Sequence, residues 1–412
     1  MFTSPKNYRR FSLILLALFG FLPSVVAQST RVSGRVVDAE SNEPIPFVNV
    51  FFANTTIGAS TDANGFFSFG RFSPGKYELT VTYVGYETYQ QALDFTLQRE
   101  QEVQVAIRIL PKKLTELIVK PDTLGRARNY REFKRVFLGE TANARRCEIL
   151  NPKDIHLFRD LETNSLYAHS LAPIQIENKA LGYHLYYYLV QFEVNYKTGM
   201  SLIFGIPQYL QMKPENAADS IRWVRERKRA YKGSVLHFMR LIQANSLQQE
   251  GFEVRVIREH ENKSRMDQER INVNLQRLTK LALEGNAISA TSWIIDSLAF
   301  YRNEDRKSKV IRVLEPNLLK GHELFGEKQD SVVRYVGTLD IRYVREKREL
   351  NYIPPYGEKD VRQHSQLNFL EPVRLFGNGF FDPQRAVILE RYWAWSEKIA
   401  DMLPLDYLPP KD

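Results

Sequence analysis

Residues 30 to 110 alternate apolar and polar side chains in short runs, and this period of two constrains the fold more than any other feature of the chain. Val32, Gly34 and Val36 alternate in RVSGRVVD, and Val48, Val50 and Phe52 in FVNVFFAN. Tyr77, Leu79, Val81 and Tyr83 do so after Lys76, and Val103, Val105, Ile107 and Ile109 in EVQVAIRIL. Turn signals separate the runs: SNEPIP at Ser41 to Pro46, Asn54 to Thr56, and DANG at Asp62 to Gly65, where Asn64 and Gly65 tolerate positive φ. About seven short strands in roughly 80 residues predict a β-sandwich.

The stretch GRFSPGK needs separate treatment, because Gly70, Gly75 and Lys76 match the spacing of a phosphate-binding loop. Such a loop needs a hydroxyl after the lysine and a helix beyond it. Here Tyr77 comes next, and the residues after it alternate as a strand. Ser73, Pro74 and Gly75 therefore predict a turn, the corner of a β-hairpin.

The segment GRVVDAESNEPIPFVNVFFANTTIGASTDANGFFSFGRFSPGKYELTVTYVGYE resembles the carboxypeptidase regulatory-like domain, in the version common in cell-envelope proteins of Bacteroidota. The matching marks are G-x-V-x-D at Gly34 to Asp38, P-I-P-F-V-N-V at Pro44 to Val50, T-D-x-x-G-x-F at Thr61 to Phe67, and P-G-x-Y-x-L at Pro74 to Leu79. The resemblance implies a transthyretin-like sandwich that accompanies other domains and is not itself catalytic. LTELIVKP at Leu114 to Pro121 resembles, over a short stretch, the segment after this sandwich in TonB-dependent outer-membrane receptors.

Upstream, Lys6, Arg9 and Arg10 precede an apolar run from Phe11 to Leu22 and a small-residue site ending at Ala27. This predicts a cleaved signal peptide over residues 1–27, since the apolar run is too short to span a bilayer. The chain has one cysteine, Cys147, so no lipidation site lies at the cleavage point. Losing three basic residues and no acidic one lowers the net charge from +9 to +6. That balance gives no concentrated basic stripe for nucleic acid. Cys147 is expected as a buried small hydrophobe despite Arg145 and Arg146 beside it.

With 412 residues, of which 43% are hydrophobic and 25% charged, the chain is expected to form two folded units. The expected division is a signal peptide at 1–27, a sandwich at 28–112, a linker at 113–128, and an α+β domain at 129–412. In the last, Tyr130, Phe133 and Phe137 predict a helix capped at Asn129 and stopped at Gly139. Residues 154–212 predict strands, including the aromatic run GYHLYYYLVQFEV. Its tyrosines 183, 186, 187 and 188 are expected in core and cross-strand packing, with a sugar-stacking surface as the alternative.

Next, Ile221, Val224, Tyr231, Val235, Phe238 and Ile242 keep helical spacing, with Lys228 filling the one gap. Gly233 predicts a break there. The basic residues Arg222, Arg225, Arg227, Lys228, Arg229 and Lys232 are expected on the solvated face, and a partner or anionic-ligand site is the sharper alternative. Residues 260–284 predict a loop and a short helix. SVVRYVGTLDIRYV and the segment around LNFLEPVRLFGNGFF predict strands. Ile388, Tyr392, Trp395, Ile399 and Met402 predict a final helix ended by Pro404.

The resemblance invites a zinc carboxypeptidase, whose metal needs an H-x-x-E pair and a distant histidine. None of the seven histidines is followed three residues later by an acid, and neither H-E-x-x-H nor G-x-S-x-G occurs. No catalytic, cofactor or metal residue is therefore assigned. The sequence predicts an exported, non-catalytic envelope protein that binds a protein or glycan partner, without nucleic acid and without a transmembrane span after signal removal. Its expected place is the periplasm or the periplasmic face of the outer membrane. The alternatives are a hydrolase of peptide or glycan working through unidentified carboxylates, and a TonB-dependent receptor-like component. The receptor reading is disfavoured because such barrels need about 22 strands of roughly ten residues.

Overall fold

The computed structural model describes residues 30–110, 125–284, 292–326 and 330–410. The expected signal peptide, LTELIVKP and most of the expected linker lie outside these residues. Seven strands form the sandwich: β1 (Arg31–Asp38), β2 (Asn49–Phe52), β3 (Gly58–Ser60), β4 (Phe66–Gly70), β5 (Lys76–Thr82), β6 (Tyr89–Asp94) and β7 (Glu100–Ile107). One sheet has the order β4-β1-β7 and the other β3-β2-β5-β6. Apart from Tyr83 and Ile109, which are exposed, the alternating apolar residues named above meet between them, with Phe52 at the centre of an aromatic cluster. Its ring lies 4.7 Å from Tyr77 and 5.1 Å from Phe72.

GRFSPGK is a turn, but not the corner of a hairpin. β4 pairs with β1, whereas β5 pairs with β2 and β6, so the chain crosses here from one sheet to the other. Phe72 explains the crossing. It is buried between the sheets, 5.0 Å from Phe95, and draws the connection over the end of the core.

After Gly125 the chain builds a second set of elements. Helix α1 (Arg126–Leu138) precedes β8 (Cys147–Ile149), β9 (Ile155–Asp160), β10 (Ser165–Ser170), β11 (Ile174–Asn178), β12 (Tyr183–Asn195) and β13 (Met200–Gln211). The helix starts three residues before the expected cap, so Asn129 lies inside it and is buried, while Gly139 ends it as expected. Strand β12 is the spine of a six-stranded sheet, with β11 and β10 along one edge and β13 along the other. Phe133 and Phe137 of α1 pack on its inner face against Phe192 and Tyr187. Cys147 is buried in this core, and burial raises its thiol pKa, in keeping with an inert side chain.

Two helices come next, α2 (Ala217–Tyr231) and α3 (Val235–Ala244). They break at Gly233, where φ is +80° and a Cβ would stand 2.3 Å from Gln363 Oε1. The buried face of α2 differs from the expected one. Ile221 and Val224 are 69% and 47% exposed, while Trp223 and Tyr231 are buried. Gly182 sets this rotation, because its missing side chain leaves a notch in which a Cβ would lie 2.2 Å from the Trp223 ring. Arg227, not Lys228, then fills the gap on the inward face.

The remaining elements are β14 (Phe252–Glu261), α4 (Gln268–Glu284), α5 (Ser292–Arg306), β15 (Val310–Leu314), β16 (Val332–Val333), β17 (Gly337–Lys347), β18 (Arg362–Phe369), β19 (Val373–Leu375), β20 (Phe381–Asp382), β21 (Val387–Arg391) and α6 (Tyr392–Ser396). Five of them form an antiparallel sheet in the order β15-β14-β17-β18-β21, whose inner face packs on α3. Residues 260–284 hold the end of β14 and a 17-residue helix, longer than expected. The expected final helix is mostly strand and turn: Ile388 lies on β21, and helix is confined to α6. Pairing of β21 with β18, and Arg391 at φ +61°, stop the helical repeat from forming.

The sandwich locks onto this body. The turn after β2 lays itself along the free edge of β13: Asn54 N–H donates to Pro207 C=O at 2.7 Å, and Tyr209 N–H to Thr55 C=O at 3.0 Å. From the other side the C-terminal tail closes over the same turn. Leu405 N–H donates to Asn54 C=O at 2.7 Å, and the Asp406 carboxylate accepts from the Thr56 amide at 2.9 Å and from its hydroxyl. Phe51, Ala53 and Ile206 bury a small apolar contact beneath. At the GRFSPGK turn, Asn378 donates to Lys76 C=O at 2.9 Å, and a Cβ on Gly75 would meet Asn378 at 2.8 Å.

Candidate functional site

Successive side chains of a strand point to opposite faces, so the tyrosine run on β12 divides. Tyr183 and Tyr187 enter the core, as expected. Tyr186 and Tyr188 point to the other face. Tyr188 stacks on Phe51 at 5.8 Å and shares a hydrogen bond with Thr82 at 3.0 Å, which places it in the sandwich contact. Tyr186 stays half-buried, between its cross-strand neighbours Gln175 on β11 and Gln208 on β13.

The same alternation on β9 and β10 brings further rings to this outer face. Phe158 and Tyr167 are direct cross-strand partners, stacked at 6.4 Å and 22°. His156 stands opposite His169. The Tyr167 hydroxyl donates to Glu193 Oε1 at 3.2 Å. Burial, and the neighbouring His156, push the pKa of His169 down. Its ring is thereby kept neutral near neutral pH, and Nε2, buried, has no hydrogen-bond partner among the described residues. The outer face therefore carries two half-exposed groups, Tyr186 with Gln175 at one end of β12 and Tyr167, His169 and Glu193 toward the other, with the sandwich contact at Tyr188 between them. Aromatic rings there can take the C–H face of a sugar or an apolar side chain, while carboxylate and amide take hydroxyls. Sequence reasoning missed Phe158 and Tyr167. The signal was available in IHLFRD and SLYAHS, two alternating runs separated by LETN.

The basic residues of α2 are gathered on one helix, but most of them are engaged. Arg222 pairs with Asp219 at 2.5 Å, and Arg225 with Glu226 at 3.1 Å. Arg229 pairs with Glu226 at 2.9 Å and Glu349 at 3.0 Å. Arg227 donates to the carbonyls of Leu181 and Gly182 at 2.6 and 3.0 Å, with its guanidinium 4.1 Å over the Tyr183 ring. Lys228 and Lys232 are half-buried at the end of the helix.

A second concentration of titratable groups lies on the outer face of the five-stranded sheet. His364 Nε2 is 2.6 Å from Asp340 Oδ1, and Nδ1 is 3.2 Å from Glu358 Oε1. Arg391 holds Glu358 at 3.0 Å. Burial raises the Asp340 pKa, but the His364 hydrogen bond and charge outweigh it and hold the carboxyl below its usual range. An imidazole between two carboxylates suits proton transfer, yet His364 is only 7% exposed, closed in by Asp340 and Glu358. The geometry ties Glu358 to the sheet through Arg391 and His364. Two further carboxyls, Glu397 and Asp401, are pushed up by burial to about 8 and about 7. Each is occupied by neighbours: Glu397 accepts from the Val235 amide at 3.2 Å, and Asp401 from Asn143 at 2.8 Å and from the Thr141 hydroxyl.

Where the sandwich meets β19 and β20, a cleft of about 400 Å³ is lined by Lys76, Asp94, Arg374, Phe376 and Asp382. Lys76 is paired with Asp382 at 2.7 Å there. Among the described residues, no three His, Cys, Asp or Glu side chains gather to hold a metal ion, and no helix is long and apolar enough to cross a membrane.

No curated protein matches the chain. A type II cohesin-X-dockerin complex from Acetivibrio cellulolyticus is similar at 26% identity over 19% of this chain and 56% of that one, with a TM-score of 0.17. The pilus 2b backbone protein of group B streptococcus is similar at 12% identity over 21% of this chain and 43% of that one, with a TM-score of 0.18. The chain thus spans less than two thirds of either. A DUF3823 family protein from Bacteroides uniformis aligns over 84% of this chain and 97% of its own, at 8% identity and a TM-score of 0.15. At such TM-scores these likenesses carry no weight for fold or function. Residues 32–119 match the model of the CarboxypepD_reg-like domain family, a match confined to the sandwich and the segment directly after it.

Proposed function

We propose that this is an exported, non-catalytic cell-envelope protein of the Bacteroidota type, which holds a glycan on the outer face of its six-stranded sheet while the docked sandwich braces that sheet. The observation that carries the reading is the half-exposed aromatic and polar outer face of the sheet, with Tyr167, His169 and Glu193 on one side of the sandwich contact at Tyr188 and Tyr186 and Gln175 on the other. Export rests on the basic, apolar and small-residue sequence of the first 27 positions. Arg225, the most exposed of the ion-paired α2 arginines, offers a rim contact for an anionic partner. A hydrolase has less support, because the carboxylates that gather are bonded within the chain. The receptor reading is weaker still: the described residues after Gly125 form open sheets and helices.

The test is binding of the full mature chain to an array of bacterial and host glycans, followed by calorimetry on the best one. Tyr186→Ala and Tyr167→Ala should each weaken binding about two- to tenfold, since one stacked ring contributes about 0.5–1.5 kcal/mol. Binding that ignores both substitutions, or no glycan bound by a protein with a native melting curve, would reject the reading.

A further inference from the structure

Strand β15, VIRVL, ends the five-stranded sheet and, among the described residues, is bonded on one side only. Its register on β14 decides which groups remain open. Asn262 N–H donates to Lys309 C=O and Glu315 N–H to Val256 C=O, at 2.9 Å each, and both pairs belong to the same antiparallel register. Hydrogen-bonded pairs alternate along such a ladder. Residues 309, 311, 313 and 315 therefore turn their main-chain groups toward β14, and Val310, Arg312 and Leu314 turn theirs outward.

The side chains do not protect that edge. Val310, Ile311, Val313 and Leu314 are 41–45% exposed, so neither face of the strand is covered. Proteins usually blunt an open edge with proline, a free charge, a bulge or a covering segment. This strand has no proline, and its one charge, Arg312, is drawn to Glu259 at 3.0 Å and toward Glu390 at 3.9 Å. The approach to the strand is basic. Lys307 is paired with Glu304 at 2.5 Å, whereas the exposed Arg306 and Lys309 have no ion pair among the described residues. On its β13 edge the same molecule already accepts an added segment by main-chain hydrogen bonds.

We propose that the open edge of β15 docks an extended segment of a partner protein, apolar at alternate positions and carrying Asp or Glu where it passes Arg306 and Lys309. Main-chain pairing to Val310, Arg312 and Leu314 supplies the affinity, and the two free cations set direction and salt dependence. This surface is separate from the sheet face assigned to glycan, so either assignment stands or falls alone.

The probe is a fluorescein-labelled octapeptide of alternating valine and threonine ending in two glutamates, titrated with the full mature chain and followed by anisotropy. Saturable binding is expected, weakened at least tenfold by Leu314→Pro, which removes an outward N–H and spares the ladder to β14. The double variant Arg306→Glu, Lys309→Glu, on exposed positions, should weaken it comparably with an unchanged melting curve, and a peptide with glutamines for glutamates should bind less. No saturable binding, or binding indifferent to these changes, overturns the proposal. So does a concentration-dependent dimer in light scattering that Leu314→Pro abolishes, which would assign the edge to a second copy of the chain.

Discussion

Strands β13 and β15 are both edge strands of open sheets, and they end in opposite ways. The first is closed twice, by the turn at Asn54–Thr55 and, over that turn, by the tail at Leu405–Asp406. The second presents three outward main-chain pairs and uncovered side chains. The lesson is that an edge is a property of the segments that reach it from elsewhere in the chain. Strand β13, with Ile203, Phe204 and Ile206, is no less apolar than VIRVL. It differs in receiving segments from about 150 residues before it and about 200 after it.

The largest effect expected on this contrast comes from Phe51→Ala. Phe51 is fully buried under the closed edge and stacked on Tyr188, so its loss should cost about 3–5 kcal/mol in urea denaturation. Hydrogen exchange should speed up at Asn54 and Tyr209 and stay unchanged along β15; equal loosening of both edges would break the contrast. Asp406→Ala removes the charged acceptor of the Thr56 amide and hydroxyl and should cost about 1.5–3 kcal/mol, with faster exchange confined to Asn54–Thr56.

A graded effect is expected with pH. The folded-state pKa values of Glu397 and Asp401, about 8 and about 7, lie above their ordinary values of 4.5 and 3.8. The folded state therefore holds more protons than the unfolded one in this window, and the stability these groups contribute is lost as pH rises through about 8. His237, pushed by burial from 6.5 down to about 4, acts oppositely below pH 6.5, so melting temperatures from pH 6.5 upward isolate the carboxyls. Glu397→Gln should flatten the decline; an unchanged slope would show that Glu397 does not titrate in this range. The smallest effect belongs to the open edge. Leu314→Pro should change stability by no more than about 0.5 kcal/mol, as at an ordinary surface position, whereas Val313→Pro, which removes a ladder bond to β14, should cost several times more.

The sandwich was legible because four of its strands, β1, β2, β5 and β7, alternate every two residues and its turns carry Asn, Gly and Pro at the required places. What the pattern could not show was pairing: the alternation at Lys76 marks a strand but not that β4 and β5 belong to different sheets. The division of Tyr183, Tyr186, Tyr187 and Tyr188 between core and outer face results from the same period. That Tyr188 would be taken by Phe51 does not, since the two are far apart in sequence. Helix α2 was misread for a local reason with a distant cause, because Gly182 opens the notch for Trp223 and turns Ile221 outward. Pro207 was an overlooked clue. A proline inside a strand run marks an edge, and its carbonyl is the group that receives Asn54.

The clamp on the Asn54–Thr56 turn is made by residues 350 positions later in the chain. A ribosome adding about 5–20 residues per second needs roughly 20–70 s to travel from Thr56 to Asp406. Small β-sandwiches fold in milliseconds to seconds, so the sandwich is complete long before its clasp exists. A chain cut short before Leu405 is expected to keep its sandwich with the turn at Asn54–Thr56 unclasped and open to proteases, while a chain that reaches Asp406 should shield it. Limited digestion of staged truncations, read at that turn, would show whether protection begins when Leu405 and Asp406 are present.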